Sequence, residues 1–122
     1  MSLLLASSAC TSPSTLTVSV SFLLITAFTN DTKAIVAIFK KYPNTAIALV
    51  IEPDSLPNLV TNADLQTCKD SASGYRDGVA YALKQLNLPN IAMYIDAGHG
   101  GWLGWNDNLS KRPPIPPTPS HH

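Results

Sequence analysis

Two short apolar runs, each ending in an acidic residue and separated by an amphipathic stretch, constrain the fold of this chain most. Ala46 to Ile51 reads Ala-Ile-Ala-Leu-Val-Ile, with no polar alternation, which is the pattern of a strand covered on both faces. Pro53 cannot donate to a ladder and restricts Glu52 before it to extended geometry, so the strand stops there. Ile91 to Ile95 (Ile-Ala-Met-Tyr-Ile) is a second such run, and it ends at Asp96. Between them the periodicity predicts a helix from about Ser71 to Leu86. Its apolar stripe is Tyr75, Val79, Leu83 and Leu86, with Asp70 or Ser71 as its natural cap. An earlier helix is predicted over Lys33 to Tyr42, with Ile35, Ile38 and Phe39 at helical spacing, Val36 adjacent, and Lys33, Lys40 and Lys41 outside. Pro43-Asn44 stops it. Strand, helix and strand in this order make a βαβ unit, hence an α/β fold built on parallel strands.

A length of 122 residues allows one small domain. The eight basic and eight acidic side chains balance to zero, which argues against a protein that displaces counterions from nucleic acid. An apolar fraction of 45% disfavours a disordered chain. Charge is absent before Asp31. In this uncharged leader, residues 1–30, Leu16 to Phe28 is too short to span a membrane. No Lys or Arg precedes it, so a signal peptide is not convincing. Leu16, Val18, Val20 and Phe22 alternate with Thr17, Ser19 and Ser21, so the leader is read as a strand or as ill-defined structure. At the other end, Pro113, Pro114, Pro116, Pro117 and Pro119 hold half of the ten prolines, and residues 110–122 are expected to be extended and disordered. His121 and His122 lack a third ligand, so no metal site is expected there. Cys10 and Cys68 are too few for a disulfide scaffold or a cysteine-built zinc site.

In parallel α/β folds, ligands bind at the carboxyl ends of the strands. Asp54 and Asp96 fall there. A carboxyl group partly desolvated at such a position can have its pKa raised enough to stay protonated and donate to a leaving oxygen. An acid at a strand exit more often makes a turn or caps a helix, and Ser55-Leu56-Pro57 is a fitting helix start. Position alone therefore favours the structural role for each. The next segment adds to the picture. Asp96 to Trp105 holds four of the six glycines and both tryptophans. Glycines let a ligand approach the backbone, and indoles offer flat apolar faces with an N–H edge. Such faces, with acids and the His99 imidazole nearby, suit a sugar polymer. No Lys or Ser/Thr follows at phosphate-loop spacing, and His99 has no companions for a metal, so no cofactor is implied.

Four segments carry a resemblance: Leu49-Val50-Ile51-Glu52-Pro53-Asp54-Ser55-Leu56, Leu59-Val60-Thr61-Asn62, Leu86-Asn87-Leu88-Pro89-Asn90, and the loop from Asp96 to Trp105. In order and spacing they resemble glycoside hydrolase family 6, the enzymes that cut β-1,4-glucan, and most of all its fungal cellobiohydrolase branch. The likeness covers residues 31–109. It implies a distorted (β/α) barrel, present here only in part, and hydrolysis with inversion at the anomeric carbon. By this resemblance Asp54 matches the general acid, and Asp96 an organising acid of the active-site network. His99 and Trp102 match residues that hold the sugar beyond the cleavage point, and Trp105 a stacking platform on the leaving side. The implied partner is a β-1,4-glucan chain, with no nucleic acid or membrane, and the implied location is extracellular.

Cys68 matches half of a family disulfide. Cys10 stands in a different context from the family partner, so Cys68 is expected to be unpaired. Inverting glycosidases need a second carboxylate ~6.5–9.5 Å from the acid. The family's upstream Asp and its downstream acidic candidate would lie where this chain has its leader and its proline tail. The expected result is a glucanase-family piece without hydrolytic activity of its own and prone to non-specific self-association. The alternatives are a non-catalytic glucan binder using Trp102 and Trp105, and a truncated gene product without function.

Overall fold

A computed structural model of the chain describes residues 2–3 and 19–111. The expectations placed on Cys10, most of the leader, the tail from residue 112 onward and the terminal His pair lie outside the described residues, while Ser110 and Lys111, read as part of a disordered tail, are helical. The elements run β1 (Ser2–Leu3), α1 (Ser19–Phe39), β2 (Ile47–Ile51), α2 (Ser55–Thr61), α3 (Gln66–Gln85), β3 (Ile91–Ile95) and α4 (Asn106–Lys111). The strands form one parallel sheet in the order β1-β2-β3. The register sets Ile47 beside Ile91 and Ile51 beside Ile95, so both acid-bearing ends leave the sheet on the same side. The α/β class with parallel strands is thus the observed one.

The long helices α1 and α3 pack on each other. On α1 the buried residues Phe28, Thr32, Val36 and Phe39 follow the 3.6-residue period. Val36 lies inside with Phe39, whereas Ile38, grouped with Phe39 by its spacing, is exposed. The helix also starts well before Lys33 and runs through Asn30 without a break. The strand pattern read in the leader is therefore not used from Ser19 onward. Packing along a partner helix outweighs a short alternating pattern, because tertiary contact supplies most helical stability. The end of α1 tightens, with the Lys41 N–H donating to Ile38 O at 2.9 Å and the Tyr42 N–H to Phe39 O at 2.9 Å, just ahead of Pro43.

On α3 the predicted stripe is buried: Tyr75, Val79 and Leu83, with Leu86 at its end. The helix begins at Gln66, five residues earlier than expected, and its N-cap Leu65 makes no side-chain cap bond. Neither Asp70 nor Ser71 caps it. Both lie inside the helix, where the Ser71 hydroxyl donates to Cys68 O at 3.1 Å and Asp70 accepts from the Gln66 amide at 2.8 Å.

The sheet departs from expectation in its faces. Leu49 and Ile51 are fully buried and Ile91 nearly so, while Ala48, Val50, Ala92 and Tyr94 are exposed. A continuous apolar run thus sits on a sheet covered on one side only, because the core residues of α1 and α3 cluster with that one side. Cys68 also differs from its expectation. It is disulfide-bonded and 1% exposed, and no free thiol is found among the described residues. No described helix is long and apolar enough to cross a membrane.

Candidate active site

The carboxyl ends of β2 and β3 open into two turns that one side chain joins. After Ile51 the chain turns through Glu52, at φ 54°, and Asp54, at φ 61°. Side chains in this left-handed region are strained by about 1–3 kcal/mol each, so the surroundings must hold them there. Glu52 is therefore not extended, as the following proline had suggested. Its carbonyl accepts from both the Ser55 N–H at 3.1 Å and the Ser55 hydroxyl at 2.7 Å, which closes the turn.

Asp54 occupies the N-cap position of α2, but its side chain makes no cap hydrogen bond. Its backbone instead starts the helix, with the Asn58 N–H donating to Asp54 O at 3.1 Å. The carboxyl group is not spent on capping. The residue is also exposed, so the desolvation expected from its position is not supplied by the described residues.

Asp96 is the joining residue. Its Oδ2 accepts from the Asp54 N–H at 2.6 Å and its Oδ1 from the Gly98 N–H at 3.2 Å. One carboxylate thereby ties the strained turn after β2 to the glycine-rich loop after β3. Charge-assisted bonds of this kind are roughly twice as strong as neutral ones. Gly98, at φ +69°, rests against the Pro57 ring, where an added Cβ would stand 2.8 Å from Pro57 Cγ and 3.2 Å from the Trp102 ring. The loop can press on α2 only with glycine at this place.

The loop sets out three rings. The His99 Nδ1 accepts from the Gly101 N–H at 3.1 Å, which puts the proton of a neutral imidazole on Nε2, ready to donate. The His99 and Trp102 rings lie with centroids 5.9 Å apart at 50°. Trp102 is half-buried, and its indole N–H reaches Thr61 Oγ1 at 3.4 Å. Leu103 anchors the loop in the core, while Trp105 is 65% exposed. Asp96 is thus bonded to the backbone of Asp54 and of Gly98, His99 and Trp102 lie in ring contact on the same loop, and Trp105 stands farther along it.

Several contributors escape a reading by sequence. Thr61 receives the Trp102 N–H, and the Asn108 amide donates to Trp102 O at 2.9 Å. The signal for Thr61 was its place in the resembling segment; for Asn108 none was present. Tyr75, read as a core residue, lies 3% exposed on α3 beneath the turn. Burial pushes its phenol up to about 12; the Ser55 hydroxyl opposes this, and the charges of Glu52 and Asp96 add to it. A neutral phenol is therefore favoured by folding. Its contribution is complete below pH ~10, the unfolded value, and is lost as pH rises through the folded one. Roughly 2–3 kcal/mol of stability is expected to vanish between pH 10 and 12, as followed by urea melts. Tyr75→Phe is expected to flatten that stretch of the profile, and an unchanged slope would refute the assignment.

A depression of about 460 Å³ lined by Ala46, Ile47, Ala48, Pro89, Asn90, Ile91 and Ala92 lies at the opposite, amino ends of the strands, away from both acids. No group of three or more His, Cys, Asp or Glu side chains suited to a metal ion is found among the described residues.

Residues 25–115 match the family model of glycosyl hydrolases family 6. The chain is similar to the 1,4-beta-D-glucan cellobiohydrolase CEL6C of Podospora anserina, 76% identical over 75 residues, which covers 62% of this chain and 19% of that protein. It is also similar to exoglucanase 3 of Agaricus bisporus, 51% identical over 83 residues, covering 68% of this chain and 19% of that one. Among solved structures, cellobiohydrolase II (Cel6A) from Humicola insolens in complex with glucose and cellotetraose superimposes with a TM-score of 0.67 at 46% identity, over 71% of this chain and 24% of the other. The chain thus spans about a fifth of the length of the curated relatives it matches. With three-quarters of the chain inside the matched span, the chain belongs to glycosyl hydrolase family 6.

Proposed function

We propose that this chain carries the acid-bearing and leaving-side part of a β-1,4-glucan hydrolase site and does not hydrolyse glucan alone. Asp54 is the general acid that protonates the glycosidic oxygen. Asp96 is its organiser, His99 and Trp102 hold the sugar next to the cleaved bond, and Trp105 is the platform beyond. The observation that carries this reading is the Asp96 carboxylate bonded to both the Asp54 turn and the Gly98 loop, which fixes acid and sugar contacts to one another. General acid catalysis depends on such fixed geometry.

The sheet supports a wider architecture. Parallel strands are ordinarily covered on both faces. Here α1 and α3 cover one, and Ala48, Val50, Ala92 and Tyr94 leave the other open. That is the form of a slice of a (β/α) barrel seen from its lumen, with residues 31–109 as the partial catalytic domain. The leader and the proline tail are flanking segments, and the location is extracellular, as the family implies.

Inactivity follows from the chemistry. Inversion requires a second carboxylate that activates water ~6.5–9.5 Å from the acid. Asp96 already spends both oxygens on backbone donors. Incubation of the purified chain with cello-oligosaccharides is expected to release no shorter sugars. Release that disappears in Asp54→Asn would overturn this. The exposed Trp105 favours a second reading, glucan binding without cleavage, in which cellulose retention depends on the indoles and not on Asp54.

A further inference from the structure

We infer that Asn30 is an N-glycan acceptor. The chain holds two Asn-X-Ser/Thr stretches with X other than proline, Asn30-Asp31-Thr32 and Asn108-Leu109-Ser110. The structure distinguishes them. Asn30 is exposed in the middle of α1. It lies two residues from each of the buried Phe28 and Thr32, which at 3.6 residues per turn puts it on the opposite side of the helix. A branched sugar there projects into solvent and meets neither α3 nor the candidate site.

Asn108 is different. It is half-buried, and its Nδ2, the atom that would bear the sugar, donates to Trp102 O at 2.9 Å. A glycan on that nitrogen wedges between α4 and the indole loop, so chains carrying it do not reach the native fold.

The transfer joins Asn30 Nδ2 to C1 of an oligosaccharide carried on a lipid pyrophosphate. The N–C1 bond forms, the C1–O bond to pyrophosphate breaks, the lipid pyrophosphate leaves, and the displaced Nδ2 proton is taken up by a base. Nothing is oxidised or reduced. Recognition of the motif also needs the hydroxyl two residues on, and Thr32 is 0% exposed once α1 has packed. Transfer therefore precedes folding of α1, as a nascent chain enters a secretory compartment.

The inference rests on the extracellular reading, and its test supplies export separately so that the two fail independently. The full chain is secreted from yeast behind the host's own signal, treated with peptide-N-glycosidase and weighed. The expected result is loss of one glycan's mass from the wild type, with aspartate appearing at position 30. Asn30→Gln is expected to remove the shift, Thr32→Ser to retain it and Asn108→Gln to leave it unchanged. A secreted wild type of unmodified mass, or a shift that persists in Asn30→Gln, overturns the inference.

Discussion

Reduction of the disulfide at Cys68 is expected to lower folding stability by about 2–5 kcal/mol, the range found for native bridges in small domains. This is a large share of the 5–15 kcal/mol that ordinary domains possess. The protein has little to set against it. Its sheet is covered on one face, and Val50 and Tyr94 stand 41% and 60% exposed on the other. Cys68 lies in the first turn of α3, where Leu65 leaves the helix start without a side-chain cap. The bridge therefore holds the end of α3 that local sequence secures least. Urea melts with and without reductant read the effect, and Cys68→Ser is expected to reproduce the reduced curve under both conditions. Coincident melts of the oxidised and reduced protein would show that the bridge carries no stability.

The features legible in the sequence were those that depend on local period. Tyr75, Val79, Leu83 and Leu86 repeat at helical spacing and are buried together, and the apolar runs at 47–51 and 91–95 are strands. What escaped depends on contacts distant along the chain. Ile38 faces outward although its spacing groups it with Ile35 and Phe39, because α3 decides which side of α1 is inside, a choice that one helix's sequence leaves open. The helix start at Leu65 carries no capping side chain to mark it, so the polar residues at 70 and 71 stand out as candidates although both lie inside the helix. The turn after β2 inverted a local rule. Pro53 disfavours helical dihedrals at Glu52, yet φ is 54° there, since the Ser55 hydroxyl and N–H both fasten on the Glu52 carbonyl. The pairing of Cys68 was equally illegible, because context along the chain says nothing of distance across it. Asp54, Asp96, His99 and Trp102 could be named as candidates from their loops. That the Asp96 carboxylate bonds the backbone of Asp54, forty-two residues earlier, could not.

Removal of both indoles is expected to abolish retention on cellulose, and the two side chains should fail in distinguishable ways. Trp105 is 65% exposed and contributes nothing visible to the core, so Trp105→Ala is expected to leave the melt unchanged. A buried aromatic anchor at an interface is worth about 2 kcal/mol or more, so binding should fall roughly thirtyfold. Trp102 has a double role in the proposed site. Its ring touches Gly98 and His99, and its N–H reaches Thr61, so Trp102→Ala is expected to loosen the loop as well as remove a sugar contact. The double variant is expected to lose about 4 kcal/mol, roughly a thousandfold, if the two sites act independently. Asp54→Asn provides the control, since in the proposed function the acid acts on the bond and not on the stacking surface. Adsorption isotherms on cellulose, with mannan as the comparison polymer, separate these effects. Retention that survives loss of both indoles would remove the sugar platform from the site, and retention lost in Asp54→Asn alone would mean that the carboxylate, and not the rings, holds the chain to its polymer.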